Sequence, residues 1–347
     1  MIQFSNRPSL RGPLTSVAAS VDASPAARLR EWLLPSRTME RRVLPPAAGL
    51  AYIGAIALCG GLRPDHVLVG LLGLLDLYNE KSRLFLRLFF PFIATGAIYD
   101  SMRYFYWPAI AGRVHVAEPY AFEQRWFALG GQTLNERFAA HHWAALDLLC
   151  GFAYLVFVAE YLTVAFAAFF LGRHRTVREL ALAFLLVNLL GFATYFLYPA
   201  APPWYVAEHG LEPATLDIQP SPAAASRFDA LLGTHLFDGM YGRGVDVYGA
   251  YPSLHVAYPL IAAWAVFRET QLRSLRALAL GFFALMCLSA VYLQHHYVTD
   301  VLLGVAYAAV TLALVTQRSA ARALRASSAQ PAASVSASAA ASRSASP

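Results

Sequence analysis

Eight apolar runs, at 45–62, 66–79, 84–103, 142–171, 177–198, 251–268, 275–293 and 297–317, constrain this chain more than any other feature. A helix needs about 20 apolar residues to cross a bilayer, and within lipid its backbone groups must satisfy one another. With 58% of its 347 residues hydrophobic and 14% charged, the chain is too apolar for a soluble protein of this size. The runs predict an all-α fold, a polytopic membrane bundle of about eight spans. The second run is short, so the first two also read as a single hairpin.

Charge placement orients the bundle. Lys81 is the only lysine, and the net charge of +6 rests on arginines. Such a balance can signal nucleic acid, but the arginines gather in short gaps between the runs, which is what the positive-inside rule produces. The segments 81–83, 172–178, 268–276 and 318–325 are basic. With the N-terminus inside, eight spans place all four in the cytoplasm together with both termini. The connections at 61–65, 104–141, 199–250 and 294–296 then face outward.

Four divisions follow: an Arg-, Ser- and Pro-rich cytoplasmic arm at 1–44, a membrane hairpin at 45–83, a membrane domain at 84–317 and an Ala/Ser-rich tail at 318–347. The arm holds no apolar run long enough for a signal peptide's core and predicts a short surface helix near 29–34. Its Arg28, Arg30, Arg37, Arg41 and Arg42 serve as orientation signals or contact anionic headgroups. The tail is too simple in composition to bury a core and is expected to be disordered. Cys59, Cys150 and Cys287 lie far apart inside apolar runs and read as small buried hydrophobes. There is no internal repeat, Gly-rich nucleotide loop or zinc pattern, and no cofactor or metal is expected.

The chemistry-bearing residues lie towards the C-terminus. In Ser289-Ala-Val-Tyr-Leu-Gln-His295-His296-Tyr-Val-Thr-Asp300, a helix would set His296 and Asp300 about 40° apart, and His295 and Asp300 about 140° apart. His296 and Asp300 are thus the pair that can touch. A carboxylate beside an imidazole fixes its tautomer and stabilises its cation, preparing it for nucleophilic or acid–base work, although a plain interfacial hydrogen bond uses the same two residues. Upstream, Tyr248-Gly-Ala-Tyr251-Pro252-Ser253-Leu-His255 reads as a helix start whose free N–H groups can cradle a phosphate. On the predicted topology, both stretches open at the outer side.

Pro-Ser-x-His followed by Ser-x6-His-x3-Asp resembles the second and third signature motifs of the type-2 phosphatidic acid phosphatase superfamily. The form Gly-Ala-Tyr-Pro-Ser-Leu-His with His-His-Tyr-x-x-Asp is most similar to its inositol phosphorylceramide synthase branch. The resemblance spans roughly 90–317 and implies a six-helix catalytic core. It also implies His296 as nucleophile, Asp300 as its orienting partner and His255 as the acid that protonates the leaving group. Membrane lipids would be the partners, a phospholipid as donor and a lipid alcohol such as ceramide as acceptor. The first phosphatase motif, Lys-x6-Arg-Pro, is missing, and Ala290 stands where phosphatases carry an arginine after the serine. The synthases depart at the same places, which favours transfer over hydrolysis.

The phosphate cage therefore needs other donors. Candidates for substrate binding are Ser253, Tyr251, Arg243 in Gly242-Arg243-Gly244, and Arg113 and Asn135 of the first outer connection. Arg243 has an alternative use as the partner of Asp246. The 104–141 connection alternates aromatic and charged residues at helical spacing and predicts short amphipathic helices. Tyr99-Asp100-x-x-Arg103 and Ala201-Pro202-Pro203 also resemble synthase segments. Three other readings stand beside the transferase: a lipid phosphate phosphatase acting on phosphatidic acid or a polyprenyl diphosphate, a hydrolase with a two-histidine, one-carboxylate metal site at His255, His296 and Asp300, and a non-catalytic transporter.

Overall fold

The computed structural model describes residues 37–328, apart from Leu216 and Arg243. The arm's predicted helix at 29–34, Arg28, Arg30 and the tail beyond Ser328 lie outside the described residues. So does Arg243. Among the described residues there are helices and connections but no β-strand.

The chain divides into two compact units, residues up to Leu86 and residues from Arg87. In the first, α1 (Arg37–Leu58) carries the apolar stretch Val43–Leu58, while α2 (Pro64–Leu71) is short. The second apolar run is not one continuous α-helix: α2 ends at Leu71 and one helical turn follows at Leu75–Tyr78. Glycines bring these pieces close: a Cβ on Gly49 would lie 2.0 Å from the Gly70 carbonyl oxygen. Small residues at such contacts let membrane helices approach backbone to backbone.

The helix α3 (Glu80–Ser101) leads into the second unit, which contains α4 (Ala117–Phe127), α5 (Leu134–Ala140), α6 (Ala144–Phe170), α7 (His174–Leu197), α8 (Pro203–His209), α9 (Ser226–Leu232), α10 (Leu236–Tyr241), α11 (Leu254–Glu269), α12 (Arg273–Tyr292) and α13 (Val298–Ser328). Among the described residues, five helical segments are long and apolar enough to cross a membrane: Glu80–Tyr104, Ala144–Phe170, His174–Leu197, Arg273–Tyr292 and Val298–Ser319. The protein is an integral membrane, all-α bundle. At 16 residues α11 is shorter than these, and it packs against α6, α7, α12 and α13. Surrounded by protein, it need not match the hydrocarbon thickness with a lipid-facing stretch of its own.

One departure from the sequence expectation has a local cause. The helix α13 runs on to Ser328, where disorder is expected from 318. Ala320, Ala321, Ala323 and Ala326 extend a helix that is already nucleated, so each residue needs only the favourable propagation step. The 104–141 connection holds α4 and α5 as amphipathic helices. α4 leaves Phe122 and Trp126 exposed and turns Glu123 inward, where it is completely buried.

The 104–141 and 199–250 connections are laced together by backbone. His115 donates to the Pro199 carbonyl (2.8 Å), Ala201 to that of His115 (2.9 Å) and Ala200 to that of Tyr248 (2.9 Å). This lacing ties the first connection to the second, and the second to the residues just before α11.

Candidate active site

α11 begins at Leu254, directly after Pro252 and Ser253, so His255 stands in its first turn. α13 arrives beside that start. A Cβ on Gly304 would fall 2.2 Å from the Ser253 carbonyl oxygen, and the Ser253 amide donates to the Asp300 carbonyl at 3.0 Å. The amide of Ser253 is therefore spent on α13, and the Ser253 hydroxyl is buried without a partner.

The stretch 289–300 is not one helix. α12 ends at Tyr292, Gln294 adopts φ 67°, and α13 starts at Val298, so His295 and His296 sit in the turn between the two. A helical wheel drawn through 289–300 therefore does not describe this stretch. His296 still reaches Asp300, Nδ1 to Oδ2 3.3 Å, because Asp300 lies in the first turn of α13 and also accepts the Tyr297 amide at 2.9 Å. The contact comes from the geometry of a helix entrance instead of from a shared helical face.

The two nitrogens of His296 have different surroundings. Nδ1 meets only acceptors, the Ala250 carbonyl at 3.0 Å and the Asp300 carboxylate. It therefore carries the proton, and in the neutral ring Nε2 is left with a lone pair. That lone pair faces His255 Nδ1 at 3.1 Å, so His255 Nδ1 is the donor of this contact. The arrangement pairs an oriented nucleophile with a proton donor.

Residues far away in sequence hold the turn in place. Asn135 of α5 donates through Nδ2 to the Val291 carbonyl (2.9 Å) and the His296 carbonyl (3.0 Å), and its own carbonyl accepts from Gln294 Nε2 (2.9 Å). Glu123 of α4 accepts the amides of Val298 (2.9 Å) and Thr299 (3.3 Å) and the Thr299 hydroxyl (3.0 Å). It thus caps the N-terminus of α13 from another helix, where a negative charge also meets the positive end of the helix dipole. Sequence reading marks Asn135 as a substrate binder, whereas its side chain here grips backbone.

His255, His295 and His296 line one cavity of about 500 Å³. Tyrosines of several elements surround it, Tyr99, Tyr154, Tyr195, Tyr241 and Tyr258, and Asp246 joins them from the connection before α11. Tyr99 donates its hydroxyl to Asp246 Oδ1 at 2.7 Å. Burial pushes the Asp246 carboxyl up to about 6 and the His295 imidazole down to about 3. Gly96 of α3 and Val158 of α6, both exposed, are among the residues that line the cavity.

Of the other sequence candidates, Tyr251 is buried in an apolar cluster with Ala200, Ala250 and Tyr297. Arg113 gives its guanidinium to the carbonyls of Ala109 (3.1 Å) and Phe196 (2.5 Å) and does not line the cavity. Asp100 pairs with Arg103, while Tyr99 of the same segment faces the cavity. Among the described residues no group of His, Cys, Asp or Glu has metal-ligating geometry. The residues that sequence reading missed are His295 and Asp246. The only sequence signals for them are a second adjacent histidine and an acid placed just before the Gly-Ala-Tyr-Pro-Ser-Leu-His motif.

Comparison with known proteins agrees in region and in kind. The family description "PAP2 superfamily" matches residues 117–314. The chain is 36% identical to the phosphoinositol dihydroceramide synthase of Bacteroides thetaiotaomicron, over 73% of this chain and 84% of that protein. It is 31% identical to the inositol phosphorylceramide synthase catalytic subunit of Schizosaccharomyces pombe, over 52% of this chain and 42% of that protein. It is 32% identical to the inositol phosphorylceramide synthase of Candida albicans, over 51% of this chain and 37% of that protein. The chain thus spans less than half the length of either fungal relative. No solved structure matches it.

Proposed function

Because the chain belongs to the PAP2 superfamily, in its inositol phosphorylceramide synthase branch, we propose that it is a membrane phosphotransferase that moves phosphoinositol from a phospholipid to the primary hydroxyl of a ceramide. The observation that carries the reading is the pair of unlike nitrogens on His296, one held by Ala250 and Asp300, the other facing His255.

A donor phosphate enters between the two histidines. His296 Nε2 attacks phosphorus, the bond from phosphorus to the diacylglycerol oxygen breaks, and His255, entering as the imidazolium beside the negative donor phosphate, gives its Nδ1 proton to that oxygen and is left neutral. Diacylglycerol leaves, and phosphoinositol remains on His296 as an imidazolium phosphoramidate whose Nδ1 proton points at Asp300. The ceramide hydroxyl then gives its proton to His255 and attacks phosphorus, and the N–P electron pair returns to Nε2. Each histidine ends as it began. General acid–base assistance of this kind contributes typically ~10²–10⁴-fold. Exposed lining residues on α3 and α6 support lateral exchange of the two lipid alcohols, since neither needs to leave the bilayer.

Brief incubation with phosphorus-labelled phosphatidylinositol, quenched without acid, tests the reading. Label is expected on His296 in the wild type and on no residue in His296→Ala, which loses all turnover. Label on Ser253 or Ser289 would overturn the assignment of the nucleophile. In the complete reaction with ceramide, label enters a new lipid; release of free phosphoinositol alone would favour hydrolysis.

The same proposal places the histidines on the extracytoplasmic face and both termini in the cytoplasm, because Arg173, Arg175, Arg178, Arg268 and Arg276 gather at the other end of α7, α11 and α12. In intact cells an impermeant thiol reagent should modify a cysteine placed at the exposed position 226 and spare one placed at the exposed position 175. The reverse pattern would invert the topology.

A further inference from the structure

Phosphoinositol transfer makes a demand that the histidine pair does not meet. The headgroup stays on phosphorus while one lipid alcohol departs and another arrives, so the cavity has to grip it through the exchange of everything else. Two cavity-lining groups have no part in the phosphoryl steps.

The first is Asp246. Its Oδ1 is fixed by the Tyr99 hydroxyl at 2.7 Å, from α3, and its Oδ2 occupies the space a side chain at Gly249 would need: a Cβ there would lie 2.4 Å away. The local backbone is thus shaped around this carboxylate. A carboxylate beside a phosphate site repels the substrate's own charge, which is tolerable only if it contacts something else on the substrate.

The second is His295. Its ring lies between those of Tyr154 (5.1 Å) and Tyr241 (4.7 Å), and it is 94% buried, with Nε2 lacking any protein partner. Desolvation keeps the ring neutral. In the tautomer that carries its proton on Nδ1, Nε2 is an acceptor. Leaving a buried acceptor unpaired is costly, and a ligand hydroxyl would remove that cost.

We propose that Asp246 and His295 form the headgroup subsite, accepting hydrogen bonds from the hydroxyls of a polyol that remains on phosphorus throughout the exchange. The proposal rests on the transferase reading only in taking the cavity to hold a headgroup phosphate. A site built to bond substrate hydroxyls discriminates sharply against analogues that lack them, because its own buried groups are then left unpaired.

The test uses the full chain in lipid vesicles and reads diacylglycerol release from phosphatidylinositol, from phosphatidic acid of the same acyl chains and from phosphatidylcholine. In Asp246→Asn, which keeps the shape and the Tyr99 contact, the ratio of kcat/KM for phosphatidylinositol over phosphatidic acid should fall about ten- to a hundredfold, chiefly through KM. His295→Gln should lower the same ratio about tenfold, and Tyr99→Phe by less. An equal loss on all donors, or an unchanged ratio, would overturn the subsite. So would a wild type that prefers phosphatidylcholine. If wild type releases diacylglycerol from phosphatidylinositol but forms no inositol-bearing ceramide, the transferase reading fails while the donor ratio still judges the subsite.

Discussion

The two ends of α11 lie about 20 Å apart and follow opposite plans. At its C-terminal end, Glu179 is buried and accepts from Arg175 (2.9 Å) and from Arg268, while Glu269 is bonded by the Thr176 hydroxyl and paired with Arg173 (3.4 Å). Both oxygens of Glu179 are engaged. At its N-terminal end, the Ser253 hydroxyl, Asp300 Oδ1 and His295 Nε2 are buried without partners, although three other elements brace the backbone around them. A saturated polar network is a staple that holds helices in register. Unspent hydrogen-bonding capacity on a rigid backbone costs stability and is kept where a ligand will use it.

Substitutions at the two ends should separate these roles, and the largest effect belongs to the histidine end. Asp300→Asn keeps the shape and the Tyr297 contact but removes the charge that stabilises the His296 cation. It should lower kcat about a hundredfold, with the melting temperature in detergent little changed. A variant as active as wild type would mean that the Ala250 carbonyl alone orients His296. Next comes Glu179→Gln, which breaks a buried pair whose arginines are partly exposed and should destabilise the fold by about 2 kcal/mol. Turnover per folded molecule should be retained. If activity falls as far as in Asp300→Asn at equal folded fraction, the two ends of α11 are coupled and the comparison breaks.

The smallest expected effect sharpens the comparison within the active-site end. Asn135→Ala removes two hydrogen bonds from the 291–296 turn without touching a reacting atom. The expected result is a roughly tenfold lower kcat with KM for the donor unchanged, since a nucleophile displaced by a fraction of an ångström loses rate before it loses binding. A rise in KM with kcat intact would instead make Asn135 a substrate contact.

Part of the fold and of the site was legible in the sequence alone. Hydropathy is a local property, so an all-α membrane bundle was legible from runs of apolar residues, and the amphipathic helices at 117–140 from their spacing. His296 and Asp300, four residues apart, were also within reach of local reasoning, though for a reason that proved wrong: the pair meets at a helix entrance after a break at Gln294, which a wheel drawn through 289–300 conceals. The second apolar run was legible as short, but composition does not reveal where glycines let backbones touch and a helix stop.

Only the tertiary structure decided the rest. It set His255 against His296 across 41 residues and laid Asn135 on the His296 carbonyl across 161. It also turned Arg113 towards carbonyls, buried Ser253 under α13, and gave Asp246 and His295 a shared cavity with the motif histidines. Contacts at such separations depend on how whole helices pack. A residue's type states which hydrogen bonds it is able to make, and the packing determines which of them remain unspent for a substrate.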